Sequence, residues 1–346
     1  MNILITGGSG FIGSSLIENL FKNTKHNIIN IDKLTYASLY KTPQNILNSK
    51  RYAFKKIDIC SAKMTNILKH YKPDILVHLA AESHVDNSIN APSAFVDTNI
   101  YGTYNLLRCT LKYFNTLNTK KKNKFKFINF STDEVFGDLA DHKYKKFTEK
   151  TPYNPSSPYS ASKASADHLV KAWNRTYKLP TIILNSSNNY GPRQHHEKLI
   201  PLTIKNALSK KNIPIYGNGL QKRDWIYVED CTNAIIKVIN HGIAGDNYNI
   251  GSRNVVKNID LVKKICMILD KMYPQVENTA YKLVKIKSYL ALITHVKDRP
   301  GHDIFYAINP KKIEKEMDWN PFFSLKDGLF NTVKWYVNFY NKKNIF

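Results

Sequence analysis

Residues Ser131–Asp138 read STDEVFGD, placing two adjacent carboxylates, Asp133 and Glu134, directly after a hydroxyl, Thr132. They follow KFKFINF (Lys124–Phe130), an apolar run that reads as a buried strand. Acids at the end of a core strand form either a solvated loop or an acid and a base aimed at one substrate. A second pair lies in PSSPYSASKASADH (Pro155–His168), where Tyr159 and Lys163 are four residues apart. Ser157 suits a helix cap and Pro158 a first turn, so the two side chains share one helical face. A phenol titrates near ~10, and an ammonium within a few ångströms favours the phenolate and lowers that value. Such a pair can take a proton from a substrate hydroxyl while hydride leaves the same carbon.

A hydride needs an acceptor, and the N-terminus supplies a place for one. ITGGSGFIG (Ile5–Gly13) follows an apolar run and opens a helix-length segment, with Gly7, Gly10 and Gly13 at a spacing of three. Glycines there permit a tight turn and close backbone approach to a pyrophosphate at a helix N-terminus. The next strand-like segment ends in Asp32. A carboxylate at that position accepts from ribose hydroxyls and repels a 2′-phosphate, which favours NAD over NADP.

The elements that must position these groups alternate. Apolar runs at Asn2–Thr6, Asn27–Ile31, Ala53–Ile57, Ile75–Leu79, Phe125–Phe130 and Thr181–Leu184 read as strands. Segments such as Gly13–Lys22 and Ala91–Phe114 between them have helical spacing. That order predicts an α/β protein with a doubly wound, parallel, Rossmann-type sheet, whose ligands bind beyond the carboxyl ends of the strands. STDEVFGD falls there. Residues 1–187 are expected to form the cofactor-binding domain. Residues 188–346 are expected to form mainly a smaller C-terminal substrate lobe, with segments near 217–245 returning to the first: DWIYV (Asp224–Val228) reads as a strand and EDCTNAIIKVI (Glu229–Ile239) as a helix. There is no internal repeat.

The net charge of +24 raises a nucleic-acid reading. The lysines are scattered, accompany many Asn, Ile and Tyr, and come with no nucleic-acid-binding signature, so a small anionic ligand is the better reading of the field. The densest run, Thr119–Phe127, reads as a solvated connection into a strand. No apolar run reaches membrane-spanning length, and the N-terminus has no signal-peptide pattern. Cys60, Cys109, Cys231 and Cys266 are far apart, which fits a reducing compartment such as the cytoplasm.

The glycine loop and the Tyr-x-x-x-Lys pair together resemble the extended short-chain dehydrogenase/reductase superfamily. Longer strings are similar to the nucleoside-diphosphate-glucose 4,6-dehydratases within it: DKLTYAS (Asp32–Ser38), HLAAESHVD (His78–Asp86), STDEVFGD, SNNYGP (Ser187–Pro192), RDWIYVED (Arg223–Asp230) and KDRPGHD (Lys297–Asp303). The resemblance implies conversion of dTDP-glucose or UDP-glucose to the 4-keto-6-deoxy sugar, a step toward deoxysugars such as rhamnose, with bound NAD returned unchanged. It implies Tyr159 as the C4 base, Lys163 as its partner, Thr132 as a hydroxyl near C4, Glu134 as the C5 base and Asp133 as the acid at C6. It further implies NAD contacts from Gly7, Gly10, Phe11, Ile12, Gly13, Asp32, Lys33, Leu34, Thr35, Asp58, Ile59, Leu79, Ala80, Ala81, Ser83, Thr98 and Asn189. Ser83, Thr132 and Asn188 would face the sugar. Lys198, Leu199, Pro214, Ile215, Tyr216, Arg223, Asn258, Asp298, Arg299 and His302 would surround the nucleotide and diphosphate. A homodimer pairing helices near Ala91–Phe114 and Ser157–Tyr177 is also implied.

Within the superfamily, a 4-epimerase or decarboxylase is the alternative enzyme, and an NAD-binding sensor the non-catalytic one. An epimerase needs no acid–base pair at Asp133 and Glu134, and a sensor need keep none of the five catalytic groups. Because neighbouring side chains of an extended strand point to opposite faces, both acids reach one sugar only if the backbone turns, and Gly137 predicts a turn. The chain departs from the family pattern at GPRQHHEK (Gly191–Lys198), where GPYxFPEK is usual, at Phe136 and at Asn87. His195 and His196 have no accompanying ligand cluster, so no metal is expected.

Overall fold

The computed structural model describes residues 1–38, 41–140, 146–275 and 286–342. Seven strands form one sheet: β1 (Asn2–Thr6), β2 (Asn27–Asp32), β3 (Tyr52–Lys56), β4 (Ile75–His78), β5 (Lys126–Thr132), β6 (Thr181–Ser186) and a distant contributor, Asn247–Ile250. The spatial order is β3-β2-β1-β4-β5-β6, then Asn247–Ile250, and every neighbouring pair is parallel. This is the doubly wound arrangement expected from alternation, with a seventh strand at the edge. In β1 the alternating Ile3, Leu4 and Ile5 are all fully buried, because helices cover both faces of a parallel sheet. Ile3 and Ile5 meet Leu16, Leu20 and Ile235 on one face, while Leu4 meets Leu76, Leu106 and Phe127 on the other. Each such side chain contributes about 1.5–3 kcal/mol.

Beyond residue 187, helix Val228–His241 and strand Asn247–Ile250 pack on this sheet, whereas the strand expected at Asp224–Val228 belongs to a separate sheet. Helix Val228–His241 packs on helix Phe11–Asn23, where Asn19 Nδ2 donates to Thr232 Oγ1 at 3.0 Å and to Asn233 Oδ1 at 2.8 Å. The remaining strands are β7 (Asn188–Tyr190), β8 (Ile213–Tyr216), β9 (Lys222–Tyr227), β10 (the edge strand Asn247–Ile250), β11 (Val255–Lys257) and β12 (Ile293–Val296). They form a three-stranded sheet, β11-β9-β7, and a β8-β12 pair over a second core containing Ile204, Ile213, Leu261, Ile265, Val333 and Tyr336.

Three local details differ from the sequence pattern. The segment expected as one helix over Ala91–Phe114 comprises Ser93–Phe95, a π-helical stretch Val96–Tyr101 and helix Gly102–Asn115. The wide stretch carries Asn99, whose Nδ2 bridges the Glu82 carbonyl (3.0 Å) and Ser162 Oγ (2.9 Å), tying it to two site-bearing segments. The lysine-rich run begins with a helical turn, Thr119–Lys122, capped by Asn118. β6 continues two residues beyond Leu184, because Ser186 pairs with Thr132 in register.

Candidate active site

The carboxyl ends of β1, β2, β4, β5 and β6 open onto one cavity of about 450 Å³. Gly7, Gly10 and Gly13 form part of its floor. Gly7 has φ +71°, and a Cβ there would collide with the Ala80 backbone, so the loop requires glycine where it passes under β4. Helix Phe11–Asn23 has no acidic residue in its first turn, leaving its N-terminal N–H groups suited to an anion. Asp32 accepts from the backbone N–H of Ser9 (2.9 Å) and of Leu34 (2.8 Å). It therefore braces the glycine loop while its remaining lone pairs face the cavity. Lys33 Nζ donates to Thr98 Oγ1 at 3.2 Å and lies near Asp58 (3.8 Å) and Glu82 (3.6 Å). The residues at the cavity thus fit a dinucleotide: a backbone cradle for pyrophosphate and a carboxylate beyond it.

At the end of β5 the backbone turns. Thr132 remains extended and its hydroxyl accepts the Glu134 N–H at 3.2 Å, capping a 3-10 turn over Asp133–Phe136. The turn separates the two acids: Glu134 lines the cavity, whereas Asp133 is 1% exposed and does not. The Thr132 hydroxyl donates to Asp133 Oδ1 at 3.4 Å, and Asp133 Oδ2 has no hydrogen-bond partner. Burial first, then the charges of Glu134 and Asp224, push the Asp133 carboxyl well above the ordinary range. Glu134 is pushed up by burial, with Arg299, Arg223 and Lys198 opposing.

Tyr159 and Lys163 lie on helix Pro158–Tyr177, which opens with a capping box between Ser157 and Ser160. Both line the same cavity as Thr132 and Glu134. Their electrostatics differ from the expectation that Lys163 lowers the phenol. Lys163 Nζ donates to the Phe130 carbonyl at 2.8 Å, and burial followed by the charges of Glu134 and Asp133 raises the Tyr159 phenol. Thr132 opposes that rise by hydrogen bonding to the phenol.

The sequence-predicted residues converge with few exceptions. Phe11, Ile12, Thr35, Ile59, Leu79, Ala80, Ala81, Ser83, Asn188, Asn189, Lys198, Leu199, Pro214, Tyr216, Arg223, Asn258, Arg299 and His302 all line the same cavity. Leu34 and Asp298 lie outside its wall, and Ile215 is buried in the second core. Leu34 instead sits at φ +58°, offering its N–H to Asp32. Asp298 holds His302 Nδ1 at 2.6 Å and accepts from Gln221 Nε2 at 2.9 Å. In β8, alternation turns Ile215 away from the face that Pro214 and Tyr216 share.

Several lining residues were given no role by the sequence. Asp86 accepts from Tyr216 OH at 3.0 Å and lies 3.4 Å from Arg299 Nη1, joining helix Val85–Asn90 to the C-terminal lobe. Tyr306 donates to Asp303 and lies under the Arg223 guanidinium, 4.2 Å from the ring centre. Arg223 Nη2 is engaged by the Asp303 carbonyl at 2.7 Å. The HLAA string gave no role for His78, which bridges Thr6 Oγ1 (2.7 Å) and Thr103 Oγ1 (3.0 Å); burial depresses its imidazole to about 3.

A Rossmann-type sheet, a dinucleotide cradle, and a Tyr–Lys pair and a carboxylate in one cavity define an enzyme of the extended short-chain dehydrogenase/reductase class. The profile of the family described as GDP-mannose 4,6 dehydratase matches residues 4–332. A dTDP-glucose 4,6-dehydratase from Salmonella typhimurium is 52% identical over 97% of this chain and 93% of its own. Two crystal structures are similar throughout. The dTDP-glucose 4,6-dehydratase from Bacillus anthracis in complex with NAD has a TM-score of 0.84 and 40% identity, covering 99% of this chain and 98% of that one. The enzyme of that name from Streptomyces venezuelae, also with NAD bound, has a TM-score of 0.86 and 35% identity at the same coverage. The chain belongs to the dTDP-glucose 4,6-dehydratase family.

Proposed function

We propose that the protein converts dTDP-glucose to its 4-keto-6-deoxy form as an NAD-dependent hydro-lyase. The observation that carries this reading is that Thr132, Glu134, Tyr159 and Lys163 line one cavity, with the Thr132 hydroxyl and the Glu134 charge both acting on the Tyr159 phenol. Gly7, Gly10, Gly13, Asp32, Lys33 and Thr98 would hold NAD. When bound, NAD would supply a hydride acceptor for C4 of the sugar and a hydride donor for C6.

The chain's own groups do the proton work. Tyr159 takes the C4 hydroxyl proton, with Thr132 supporting the phenolate through its hydroxyl and Lys163, held by the Phe130 carbonyl, adding positive charge to the site. The resulting ketone acidifies C5, and Glu134 removes that proton. Asp133, whose carboxyl burial raises, would by the family resemblance give its proton to the departing C6 hydroxyl. Arg299 and Lys198 face the diphosphate, the first through its forked donors. Four cysteines without disulfides support a reducing, cytoplasmic setting, and no helix among the described residues is long and apolar enough to cross a membrane. We further infer a homodimer, supported by the exposed Tyr101, Tyr104 and Tyr177 around Trp173 on adjacent helices. Sedimentation analysis tests it.

The activity is tested by incubating the protein with dTDP-glucose or UDP-glucose in deuterated water. The expected result is the 4-keto-6-deoxy product carrying deuterium at C5, with no net consumption of NAD and dTDP-glucose preferred. A C4 epimer as the product, or no turnover of either sugar, overturns the reading.

A further inference from the structure

One buried charge has no part in the chemistry above. Asp167 is 0% exposed and does not line the cavity. Asn129 and Ser131 are alternate residues of β5, so they share a face, and both point at Asp167. Asn129 Nδ2 donates to its Oδ1 at 2.8 Å and Ser131 Oγ to its Oδ2 at 2.7 Å. Tyr153 OH adds a third donor at 3.1 Å, and Asn185 Nδ2 of β6 a long fourth at 3.5 Å. Between Asn129 and Ser131, the Phe130 carbonyl receives Lys163 Nζ at 2.8 Å. Lys163 and Asp167 are four apart on one helical face. Three consecutive residues of β5 therefore grip a lysine and an aspartate one turn apart, and the next residue is Thr132.

We propose that Asp167 is a positioning residue for the C4 oxidation: it clamps helix Pro158–Tyr177 onto β5 and sets a hydrogen-bonded carboxylate one turn behind Lys163. This deepens the dehydratase reading and rests on it. The clamp fixes the register between the helix carrying Tyr159 and Lys163 and the strand end carrying Thr132 and Glu134. Burial raises the Asp167 carboxyl, and Lys163 and the Ser131 and Tyr153 donors oppose that rise. The titratable groups around it are Lys163 and Lys171 on its own helix, Tyr159 at the start of that helix and Tyr153 from the preceding loop, with Lys171 over the Tyr153 ring at 4.4 Å. Strands β5 and β6 present only neutral amide and hydroxyl groups to it. Burial lowers the Lys163 ammonium and Asp167 raises it, so the pair sustains the lysine's charge.

The test compares pH profiles. Asp167→Asn keeps the shape and removes the charge. We expect kcat to fall by at least about tenfold through lost alignment, with KM for the nucleotide sugar within about twofold, since no ground-state contact is removed. The alkaline limb of kcat should move to lower pH by roughly one unit, because Lys163 without its counter-charge loses its proton sooner. Ser131→Ala removes the 2.7 Å donor and leaves the charge. Asp167 should then bind a proton at higher pH, moving the acid limb up while the alkaline limb stays. A folded Asp167→Asn with the wild-type profile overturns the proposal. Should that variant fail to fold, an unmoved acid limb in Ser131→Ala overturns it instead. A wild-type protein that makes no 4-keto-6-deoxy sugar defeats the functional reading itself, before either variant is compared.

Discussion

Thr132 accepts the backbone N–H of Glu134 at 3.2 Å, and through that bond the end of β5 becomes a turn that sends two adjacent acids to different places. Glu134 reaches the cavity, and Asp133 stays behind it against the Thr132 hydroxyl. An amide at the first position and an amide at the second should therefore fail differently. Glu134→Gln should still permit C4 oxidation, followed by the absorbance of the reduced nicotinamide, but lose C5 deuterium exchange and the 4-keto-6-deoxy product. Asp133→Asn should retain C5 exchange and slow the loss of the C6 hydroxyl by about 10²–10⁴-fold. Equal loss of exchange in both variants would contradict the separate roles.

The position of Asp133 also has a stability consequence. Its folded pKa lies above the ordinary 3.8, so between those values the folded chain binds more protons than the unfolded one. Stability contributed by the neutral carboxyl is therefore fully present below about 3.8 and is lost as pH rises through the raised folded value. An Asp133 oxygen without a partner at neutral pH costs about 1–3 kcal/mol. Asp133→Asn should therefore unfold at a higher temperature than wild type at mildly alkaline pH, and the gap should close in acid. Thermal unfolding across pH measures this, and a gap that widens in acid would reverse the sign.

The same turn closes on Gly137, at φ +82°. A Cβ there would run into the Asn154 carbonyl, and the φ itself is strained for any L side chain. Gly137→Ala should lower stability by about 1–3 kcal/mol and lower kcat more than KM, because Thr132 and Glu134 sit on the displaced backbone. Paired unfolding and kinetic measurements check both effects.

What the sequence made legible was whatever a short window encodes. Alternation placed β1 to β6, the glycine spacing placed the cradle, and the interval from Tyr159 to Lys163 placed both on one helical face. What stayed hidden depends on distant contacts. Asn247–Ile250 is an unremarkable tetrapeptide until it pairs with β6. Asp86 closes the HLAAESHVD string without a role until Tyr216, 130 positions later, bonds to it. The electrostatics of Tyr159 were hidden for a similar reason: spacing shows that Lys163 is near, but not that the Phe130 carbonyl holds its ammonium or that Glu134 and Asp133 face the phenol.

The chain departs from its family pattern in the loop Gly191–Lys198, and an ion pair anchors that loop. Arg193 Nη1 lies 2.5 Å from Glu18 Oε1 on the helix that opens at the glycine loop. Arg193 adopts φ +72°, a conformation costly for a side-chain-bearing residue, so the pair holds the backbone where it would not rest by itself. The next residues, Gln194, His195, Glu197 and Lys198, all line the cavity. They are tied down by Tyr336 OH to the Gln194 carbonyl and by Lys198 Nζ to the Ser83 carbonyl at 2.6 Å. Both partners of the ion pair are partly exposed, so it is worth no more than about 1 kcal/mol, too little to govern global stability. Its effect should appear locally, in how firmly this loop covers the cofactor cradle. Glu18→Gln and Arg193→Ala should each weaken NAD affinity by up to about fivefold, the equivalent of 1 kcal/mol, with little change in unfolding temperature. The exchanged pair, Glu18→Arg with Arg193→Glu, should recover part of the loss in a double-mutant cycle. Calorimetric titration with NAD reads all four proteins, and strictly additive losses would show that the ion pair does not hold the loop.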